Sequence, residues 1–412
     1  MRVLKAYKFR LNPTDDQRKA LAQQGGNCRW LWNHFLEINQ AEYAKNKKFI
    51  FSHQLITSLP ELKKEYEWLG ESFSQSLQQV ARHFDRALKD AFKKSKGFPT
   101  TKKKSLLRDS FTVPQKFRIE KNYVFIPKVG EVPWVKHRAI KGKVKHLTVT
   151  QDGEQWYCSV CVELKVRNKT SDTKQDGTDI VGIDVGLKTY ATLSDGTTVE
   201  NPKTLTKYQK QLNRAQRRLS KRVKGSKSRE KQRLVVAKLH RKVRNVRSDF
   251  QHKTTSNMIT KCGGFVMEDL NIKGMVKNHC LARSISDAGW YEFKRQLRYK
   301  SEWAGLPFLE IGRFEASSKT CCSCGWKDKE QTLADREFEC QQCGMSLDRD
   351  YNAAINIRNI GLKTVPWDTR ELDGSAVKTL EDDKRFMLQK CRCLSMSQEK
   401  EHSGLNGFGS LN

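Results

Sequence analysis

The sequence predicts a multidomain α/β protein that also contains a β-barrel and a helical insert. The chain has 412 residues, more than a single core usually spans, so we expect two or three domains. Its apolar residues alternate with a period of two in some stretches and recur every three or four residues in others, as strands and helices require. Two Cys-x-x-Cys pairs within residues 317–357 indicate a metal-binding insert.

The chain is strongly basic, with 78 Lys and Arg against 46 Asp and Glu and a formal charge of +32. Such a charge repels itself unless a polyanion neutralises it, so nucleic acid is the expected partner, with a merely solvated basic surface as the alternative. No apolar run approaches the roughly 20 residues that span a bilayer. The charged N-terminus lacks the apolar core of a signal peptide. We therefore expect a cytoplasmic protein without membrane contact.

Helical periodicity dominates the stretch after the first predicted strand. Residues 4–11 alternate like a strand and end at Asn12-Pro13-Thr14, a helix-start signal. Apolar residues then recur at helical spacing until a basic break that contains Gly97 and Pro99. This pattern predicts a helical domain over 14–104. Its polar face could lie in a nucleic-acid groove, although a solvated face is the commoner explanation.

Short alternating runs between residues 105 and 166 predict the strands of a β-barrel or a sandwich, which residues 1–13 would complete. One of these strands carries Cys158 and Cys161 in the spacing of a metal-binding pair. On a strand, residues three apart point to opposite faces, so the two thiols cannot converge on one ion without a bulge. We interpret them as ordinary strand cysteines. A polar linker over 167–178 follows the barrel.

The next residues predict an α/β domain of the ribonuclease H type over 179–316 and 346–363. Three short strands, helices, a strand, a helix and a further strand occur in the order that fits this fold class. Asp184 and Glu268 lie on apolar strands, and Asp350 lies at the start of a helix. These positions are adjacent on such a sheet. Carboxylates that lie so near one another repel unless hard cations bridge them. We therefore expect the three acids to be catalytic and to bind two Mg²⁺ ions for phosphodiester cleavage.

Asp348 competes with Asp350 for the third place among these acids. The residues after Asp350 read as a helix start, which would hold its carboxylate rigidly toward the cleft. We therefore expect Asp348 to remain outside the site, and Arg349 either to contact phosphate or to support the turn.

The most basic stretch, 203–247, contains 18 Lys or Arg and a single acid. Two helical patterns separated by Gly225-Ser226 predict a hairpin within the nuclease domain, with a cationic face that follows a phosphate backbone. A disordered basic arm is the alternative, but the apolar periodicity is too regular for it. The expected nucleic-acid contacts are Arg214, Arg217, Arg218 and Arg241.

Residues 317–345 predict a zinc-binding insert. Its ligands have the form C-x2-C-x15-C-x2-C with a glycine after each pair, and they are Cys321, Cys324, Cys340 and Cys343. Four thiolates complete a tetrahedral site, so the Zn²⁺ is expected to be structural. Cys322 could compete with Cys321, but its spacing from Cys324 is too short for a knuckle. The final residues, 364–412, predict a poorly ordered tail, in which Cys391 and Cys393 receive no role.

Several long motifs occur together in this chain: AYKFRLNPT, IVGIDVGLK, the basic hairpin, SISDAGWYEFKRQLRYK, SSKTCCSCG, FECQQCG and DRDYNAAINIRN. With these motifs, most of residues 1–360 resembles the TnpB family, transposon-encoded RNA-guided nucleases that are similar to Cas12-type effectors. The resemblance implies a single RuvC-type nuclease site formed by Asp184, Glu268 and Asp350, with the zinc ribbon inserted in that domain. All three acids are present, so nothing indicates an inactive nuclease.

The resemblance also implies that the barrel is a wedge-type domain and that the helical insert is a recognition domain. Together they would hold a guide RNA derived from the transposon end and a double-stranded DNA target. Base pairing then selects the sequence, while the protein reads a short flanking motif. Gln78 lies on the helix expected to read that motif, and a glutamine can pair with adenine in the major groove. We expect a monomeric ribonucleoprotein in a bacterial or archaeal cytoplasm, associated with the nucleoid when bound to DNA.

The expected function is therefore RNA-guided DNA cleavage beside a short flanking motif, by a two-metal mechanism. Two alternatives remain open. One is a non-cleaving nucleic-acid-binding regulator of transposition, and the other is an unguided nuclease of the same fold.

Overall fold

The computed structural model describes residues 2–93, 96–103, 109–165, 180–313, 315–332 and 335–364. The chain divides into two compact units, one of residues 1–167 and 211–241 and the other of residues 168–210 and 242–412. The predicted linker 167–178 lies outside the described residues. The same holds for the predicted tail beyond Thr364, with Cys391 and Cys393.

An antiparallel sheet of seven strands lies at the centre of the first unit. The strands are β1 (Arg2–Leu11), β2 (Ser110–Val113), β3 (Arg118–Ile119), β4 (Tyr123–Ile126), β5 (Gly130–Val135), β6 (Lys143–Asp152) and β7 (Gln155–Lys165). Their order across the sheet is β2-β6-β7-β1-β5-β4-β3. Strand β1 pairs with β7 along its whole length, so the first residues join this sheet as predicted.

Where a β-barrel or sandwich was predicted, the described residues form an open sheet, a half-barrel with β2 and β3 at its edges. Closure requires the two edge strands to pair with each other, and β3 is only two residues long. Helices cover the sheet instead. Phe9 of β1 and Val160 of β7 belong to the same buried cluster as helical residues Phe35 and Phe84.

Four α-helices of the first unit contribute to that cluster: α1 (Asp15–Asn46), α2 (Ser52–Thr57), α3 (Leu59–Glu65) and α4 (Ser74–Phe92). Helix α1 begins at Thr14, whose side chain accepts a hydrogen bond from the backbone N–H of Gln17 in a capping box. This is the predicted helix start. The helices and the sheet were predicted as separate domains, yet they share one hydrophobic core.

Helices α5 (Thr204–Ser220) and α6 (Lys227–Lys261) form the predicted basic hairpin. Helix α6 continues well beyond the predicted end at residue 247, because its buried stripe extends through Thr255 and Met258. Helix α5 ends at Ser220, before Val223, which is 76% exposed. Residues 211–241 belong to the first unit. Arg241, near the end of that stretch, donates from Nη1 to the backbone oxygen of Asp152 at 2.7 Å.

A mixed sheet of five strands organises the second unit. The strands are β8 (Ile180–Asp184), β9 (Thr189–Leu193), β10 (Thr198–Glu200), β11 (Gly264–Glu268) and β12 (Phe308–Ile311). Their order is β10-β9-β8-β11-β12. The pairs β10/β9 and β9/β8 are antiparallel, whereas β8/β11 and β11/β12 are parallel. The three-strand meander and the two later strands are those that the sequence predicted.

Helices pack on both faces of this sheet. They include α7 (Ile272–Met275), α8 (Ala282–Ala288), α9 (Trp290–Ala304) and α10 (Arg349–Thr364). Because side chains alternate along a strand, Val181 packs with Phe293 of α9 on one face, whereas Ile180 packs with Ile357 of α10 on the other. A short hairpin, β13 (Glu337–Glu339) and β14 (Ser346–Asp348), precedes α10. None of the helices in the described part of the chain has both the length and the apolar character needed to cross a membrane.

Helix α10 lies closer to the sheet than ordinary side chains allow. A Cβ atom at Gly182 of β8 would lie 2.1 Å from the backbone oxygen of Ala354. A Cβ atom at Gly361 of α10 would lie 2.3 Å from Cγ1 of Val266 in β11. Glycine on each side of the contact therefore permits the helix to rest directly on the two central strands.

We expect Gly182→Ala to lower the free energy of unfolding by about 1–3 kcal/mol or more, the usual cost of forcing extra atoms into a packed interior. The added methyl group would meet a helix backbone, which cannot rotate away as a flexible side chain can. Denaturant unfolding of purified protein measures the change. Gly312→Ala is the control, because a Cβ there would meet no atom within 4 Å. Equal stabilities of the two variants would contradict the close contact.

Candidate active site

Asp184, Glu268 and Asp350 meet at one edge of the five-stranded sheet. Asp184 and Glu268 are the last residues of β8 and β11, and the register pairs Ile183 with Met267 immediately before them. Parallel neighbours end at the same edge, which is where open α/β sheets place their ligands. Strand alternation directs both acids to the face that α10 covers.

Asp350 reaches this edge from the first turn of α10. Its Oδ2 lies 3.9 Å from the position that a Cβ would take at Gly186, in the turn that follows β8. Arg349 donates from Nη2 to Oδ1 of Asp350 at 3.3 Å, and both side chains are largely buried. The three acids predicted from the sequence are therefore gathered in one place, and Arg349 supports the turn.

The local electrostatics reflect this gathering of charge. Burial first, and then the negative charges of Glu268 and Asp350, raise the pKa of Asp184 from its ordinary 3.8 to about 7. Burial also raises the pKa of Glu268, and the hydrogen bond from Ser317 opposes that rise. Such a cluster costs free energy when all its members are ionised, unless cations compensate for the charge.

Ser317 orients Glu268, and sequence reasoning missed it. Its Oγ donates a short hydrogen bond to Oε1 of Glu268. The residue is buried in a 3₁₀ turn, Ser317–Lys319, that precedes the first cysteine pair. The only sequence signal was its position four residues before Cys321, in SSKTCCSCG. Only the fold brings this turn beside the end of β11.

Asp269, adjacent to Glu268, has a different environment. Its carboxylate accepts from Arg313 Nη2 at 2.7 Å and from Lys294 Nζ at 3.2 Å. These hydrogen bonds, Arg313 first, lower the pKa of Asp269. Lys294 also lies 2.8 Å from Oε1 of Glu310 in β12. Asp269 is thus held in ion pairs, whereas Glu268 joins the acid cluster as predicted.

Asp348 lies outside the cluster, also as predicted. Its Oδ1 accepts a hydrogen bond from the backbone N–H of Tyr351 at 3.0 Å, and its side chain is exposed. This is the geometry of a helix N-cap at the start of α10. Asp348 therefore fixes where the helix begins, and Asp350 follows within the first turn.

The four predicted metal ligands converge. The sulfur atoms of Cys321, Cys324, Cys340 and Cys343 all lie within 4.8 Å of one another. The Sγ atoms are 3.4 Å apart in Cys324 and Cys340 and 3.7 Å apart in Cys321 and Cys343. Gly325 and Gly344 close the two knuckles with left-handed φ angles of 79° and 70°. A tetrahedral set of thiolates is the site that zinc prefers.

The remaining cysteines in question do not join this site. Sγ of Cys322 points to Met345, with its sulfur 4.0 Å from Sδ, and Cys322 is not a member of the four-cysteine cluster. Cys158 is fully buried, whereas Cys161 lies on the other, half-buried face of β7. The prediction that Cys158 and Cys161 point to opposite faces is confirmed.

Two buried asparagines of α10 bind the backbone that leads into the knuckle. Nδ2 of Asn352 donates to the oxygen of Thr320 at 2.8 Å, and its Oδ1 accepts from the N–H of Cys322 at 3.0 Å. Nδ2 of Asn356 donates to the oxygens of Ser317 and Thr320 at 2.8 and 2.6 Å. The knuckle, the helix that carries Asp350 and the serine that orients Glu268 therefore form one hydrogen-bonded assembly.

The residues predicted to contact nucleic acid lie in the first unit. Gln78 is on α4 with a half-buried side chain. Arg214, Arg217 and Arg218 are exposed on α5. The guanidinium of Arg241 is bonded to the turn after β6. Their contacts with nucleic acid remain predictions.

We expect Asp184→Asn to stabilise the metal-free protein above the folded pKa of about 7. The unfolded chain releases this proton near 3.8 and the folded chain near 7, so stability falls as the pH rises through that interval. Even one unit of this pKa difference is worth about 1.4 kcal/mol, so the thermal midpoint should rise by at least about 3 °C, because each kcal/mol shifts Tm by about 2–4 °C.

Thermal melts in the presence of a chelator, recorded at several pH values, measure this effect. The difference between wild type and Asp184→Asn should shrink as the pH falls toward 3.8, where both side chains are neutral. Asp195→Asn is the matched control, because Asp195 is exposed in the turn after β9. A gap between wild type and Asp184→Asn that does not change with pH would show that charge is not its cause.

Comparison with known proteins shows which families the chain is similar to. Residues 159–279 match a family model described as "Probable transposase", residues 290–357 match "Cas12f1-like, TNB domain", and residues 1–48 match a "Helix-turn-helix domain". Within 1–48, the structure shows strand β1 followed by the single long helix α1.

Two relatives match nearly end to end. The chain is 35% identical over 380 residues to the Escherichia coli K12 protein named "Putative RNA-guided DNA endonuclease InsQ". This match covers 88% of this chain and 93% of that protein. It is 33% identical over 367 residues to a Streptomyces pristinaespiralis protein with the name "Putative RNA-guided DNA endonuclease", covering 87% and 90%.

A shorter match and a solved structure agree with these relatives. The chain is 31% identical over 148 residues to "TnpB-like protein L79" of Acanthamoeba polyphaga mimivirus, which covers 34% of this chain and 28% of that protein. The cryo-EM structure of a Cas12f1–sgRNA–target DNA complex has the same fold, with a TM-score of 0.54 at 15% identity, covering 87% of this chain and 99% of the other. Because the two bacterial relatives match over nearly their full length at 33–35% identity, and the family models match as well, the chain belongs to the TnpB family.

Proposed function

We propose that this protein is an RNA-guided DNA endonuclease that cuts beside a short flanking motif. The observation that carries the proposal is the meeting of Asp184, Glu268 and Asp350 at one sheet edge. The names of the two full-length bacterial relatives support the same activity. The order of the five-stranded sheet, with an antiparallel meander beside parallel strands, supports a ribonuclease H-like RuvC domain.

The three acids fit a pair of Mg²⁺ ions. Mg²⁺ prefers carboxylate oxygens, and a buried acid with a pKa near 7 gains more from a cation than an exposed acid does. Two such ions would activate water and stabilise the leaving 3′ oxygen of a phosphodiester. Ser317 orients the Glu268 carboxylate for this role, and Arg349 holds Asp350 while adding positive charge beside the cluster.

The four-cysteine cluster fits structural Zn²⁺. Although burial acts to raise it, the pKa of the Cys340 thiol falls below 9.0, because hydrogen bonds from the backbone of Cys343 and the side chain of Cys324 outweigh burial. Burial raises the pKa of the Cys321 and Cys343 thiols, and zinc binds the thiolate form, so a bound cation would stabilise the four thiolates together. All four positions of the tetrahedron are filled by protein, which leaves the ribbon a structural role beside the RuvC domain.

The proposed partners are a guide RNA from the transposon end and a double-stranded DNA target. The charge of +32 supports a polyanionic partner, and the solved Cas12f1 neighbour is a complex with sgRNA and target DNA. Residues 14–104 would serve as the recognition domain, with Gln78 reading the flanking motif, and the half-barrel as the wedge domain. The exposed arginines of α5 would contact the phosphate backbone, in a monomeric ribonucleoprotein.

Sequencing the nucleic acid that co-purifies with the protein tests the guiding step. A discrete RNA with a constant 5′ scaffold and a variable 3′ end would support it, and DNA matched to that 3′ end should then be cut. Random fragments would favour the non-cleaving regulator or the unguided nuclease. Equal cleavage with and without the RNA would single out the unguided nuclease.

Asp350→Asn should abolish cleavage by the reconstituted ribonucleoprotein while guide RNA binding stays within about twofold. The expected loss exceeds the roughly 10–100-fold that removal of an outer-shell partner costs, because a metal ligand is removed. Asp348→Asn is the control, since asparagine also caps helices and the residue lies outside the cluster. Single-turnover cleavage and RNA titration measure both effects. Retained cleavage in Asp350→Asn would refute the assignment.

Cys340→Ser should lose the bound zinc and reduce cleavage, because the assembly that joins the knuckle to α10 through Asn352 and Asn356 loses its order. Metal analysis of purified protein and single-turnover cleavage measure the two consequences. Cys161→Ser, on strand β7 outside the cluster, should retain one zinc ion per chain and full activity. A zinc-free Cys340→Ser protein with normal cleavage would refute the coupling.

A further inference from the structure

A basic cavity of about 340 Å³ lies in the second unit. Four of its lining residues are cationic: Lys188, Lys203, Arg283 and Arg336. None of the lining residues is aromatic, so the cavity offers no surface on which a base could stack. Its volume is at the lower end of small-ligand sites, and its charge favours an anion.

Within the described part of the chain, the positive charge of the cavity has no carboxylate counter-charge. Among the described residues, no carboxylate forms an ion pair with Lys188, Lys203, Arg283 or Arg336. Among the described lining residues Asp287 is the one acid, and both of its carboxylate oxygens have partners other than the four cations. Its Oδ1 lies 2.8 Å from Nη2 of Arg247, and its Oδ2 accepts from the N–H of Leu205 at 2.8 Å.

Two walls of the cavity adjoin the acid cluster. Lys188 belongs to the turn after β8, and Gly186 of the same turn lies beside the carboxylate of Asp350. The backbone oxygen of Arg336 accepts from the N–H of Arg349 at 2.8 Å, immediately before Asp350. A chain that passes through the acid cluster therefore meets these cations within a short distance.

The cavity wall is held in shape before any ligand arrives. Lys203 has a left-handed φ of 41°, a backbone conformation that residues other than glycine and asparagine rarely adopt. Asn201 stabilises it by accepting from the N–H of Lys203 at 3.1 Å and donating to the oxygen of Leu187 at 2.8 Å. Lys203 is thus tied to the turn that carries Lys188.

We propose that this cavity binds a backbone phosphate of the DNA strand being cut, a few nucleotides at most from the scissile phosphate. Lysine and arginine side chains in a concave site are the usual ligands of backbone phosphates, and such contacts fix the register of a strand without reading its sequence. The cavity thereby holds the strand in position while the neighbouring acids act on it. This inference rests on the proposed DNA cleavage and adds where the substrate is gripped.

Neutralising single phosphates of the DNA tests the proposal. The cut position is first mapped with wild-type ribonucleoprotein, and each nearby phosphate is then replaced in turn by an uncharged methylphosphonate. In wild type, one such replacement should slow single-turnover cleavage about 10-fold or more, the value of a charge-assisted hydrogen bond. The combined variant Lys188→Ala, Arg283→Ala, Arg336→Ala should cut natural DNA more slowly than wild type by a similar factor. The same methylphosphonate should then slow this variant no further, because the contact that it removes is already lost.

Two further variants guard against indirect effects. Lys203→Asn removes one charge, and asparagine suits the left-handed backbone. Its effect on the cleavage rate should be smaller than that of the combined variant, and it should likewise be non-additive with the methylphosphonate. Lys261→Ala is the control, because this exposed lysine precedes β11 at the strand end opposite Glu268. It should respond to every methylphosphonate as wild type does. Guide RNA and target binding by all variants should remain within about twofold of wild type.

Independent, multiplicative effects at every phosphate position would overturn the proposal. So would a loss of guide RNA binding in the combined variant without a cleavage defect in its RNA-bound fraction, which would assign the cavity to the RNA backbone. Failure of wild-type ribonucleoprotein to cut matched DNA at all would instead refute the proposed function. The two failures are therefore distinguishable.

Discussion

The direct contact between helix α10 and strand β8 at Gly182 is the constraint on which the active-site geometry depends. A Cβ atom there would lie 2.1 Å from the oxygen of Ala354, so any other residue would push the helix away. Asp350 is near the N-terminal end of that helix, and Asp184 is two residues beyond Gly182 on the same face of the strand. Displacement of the helix would therefore separate the carboxylates that the proposed mechanism requires to act together.

The four-cysteine knuckle extends this constraint. In the proposed zinc site the four cysteines would leave no coordination position for water, so the contribution proposed for the knuckle is mechanical. Asn352 and Asn356 bind the backbone between Ser317 and Cys322, and Ser317 binds Glu268. One buried network thus fixes an acid on the sheet and the helix that carries another acid. Such networks are effective when every polar group has a partner, because an unsatisfied group in a buried site is costly.

The second unit places opposite charges side by side. Three acids share a partly buried edge, where burial and mutual repulsion raise the pKa of Asp184 to about 7. The adjoining cavity presents four cations without carboxylate partners among the described residues. An acid cluster is suited to cations and a basic cavity to phosphates, and a phosphodiester chain with its metal ions supplies both. The charges of the two sites are thus complementary to a single kind of substrate.

The sequence by itself determined the local elements and the identity of the chemical groups. Apolar alternation predicted the strands of both sheets, and the glycine-closed cysteine pairs predicted the metal cluster, because these signals are local in the chain. Tertiary structure decided the rest. It left the predicted barrel open, joined helices and sheet in one core, and placed residues 211–241 in the first unit. It also placed Ser317 beside Glu268, since hydrogen bonds between distant segments depend on packing that no local pattern records.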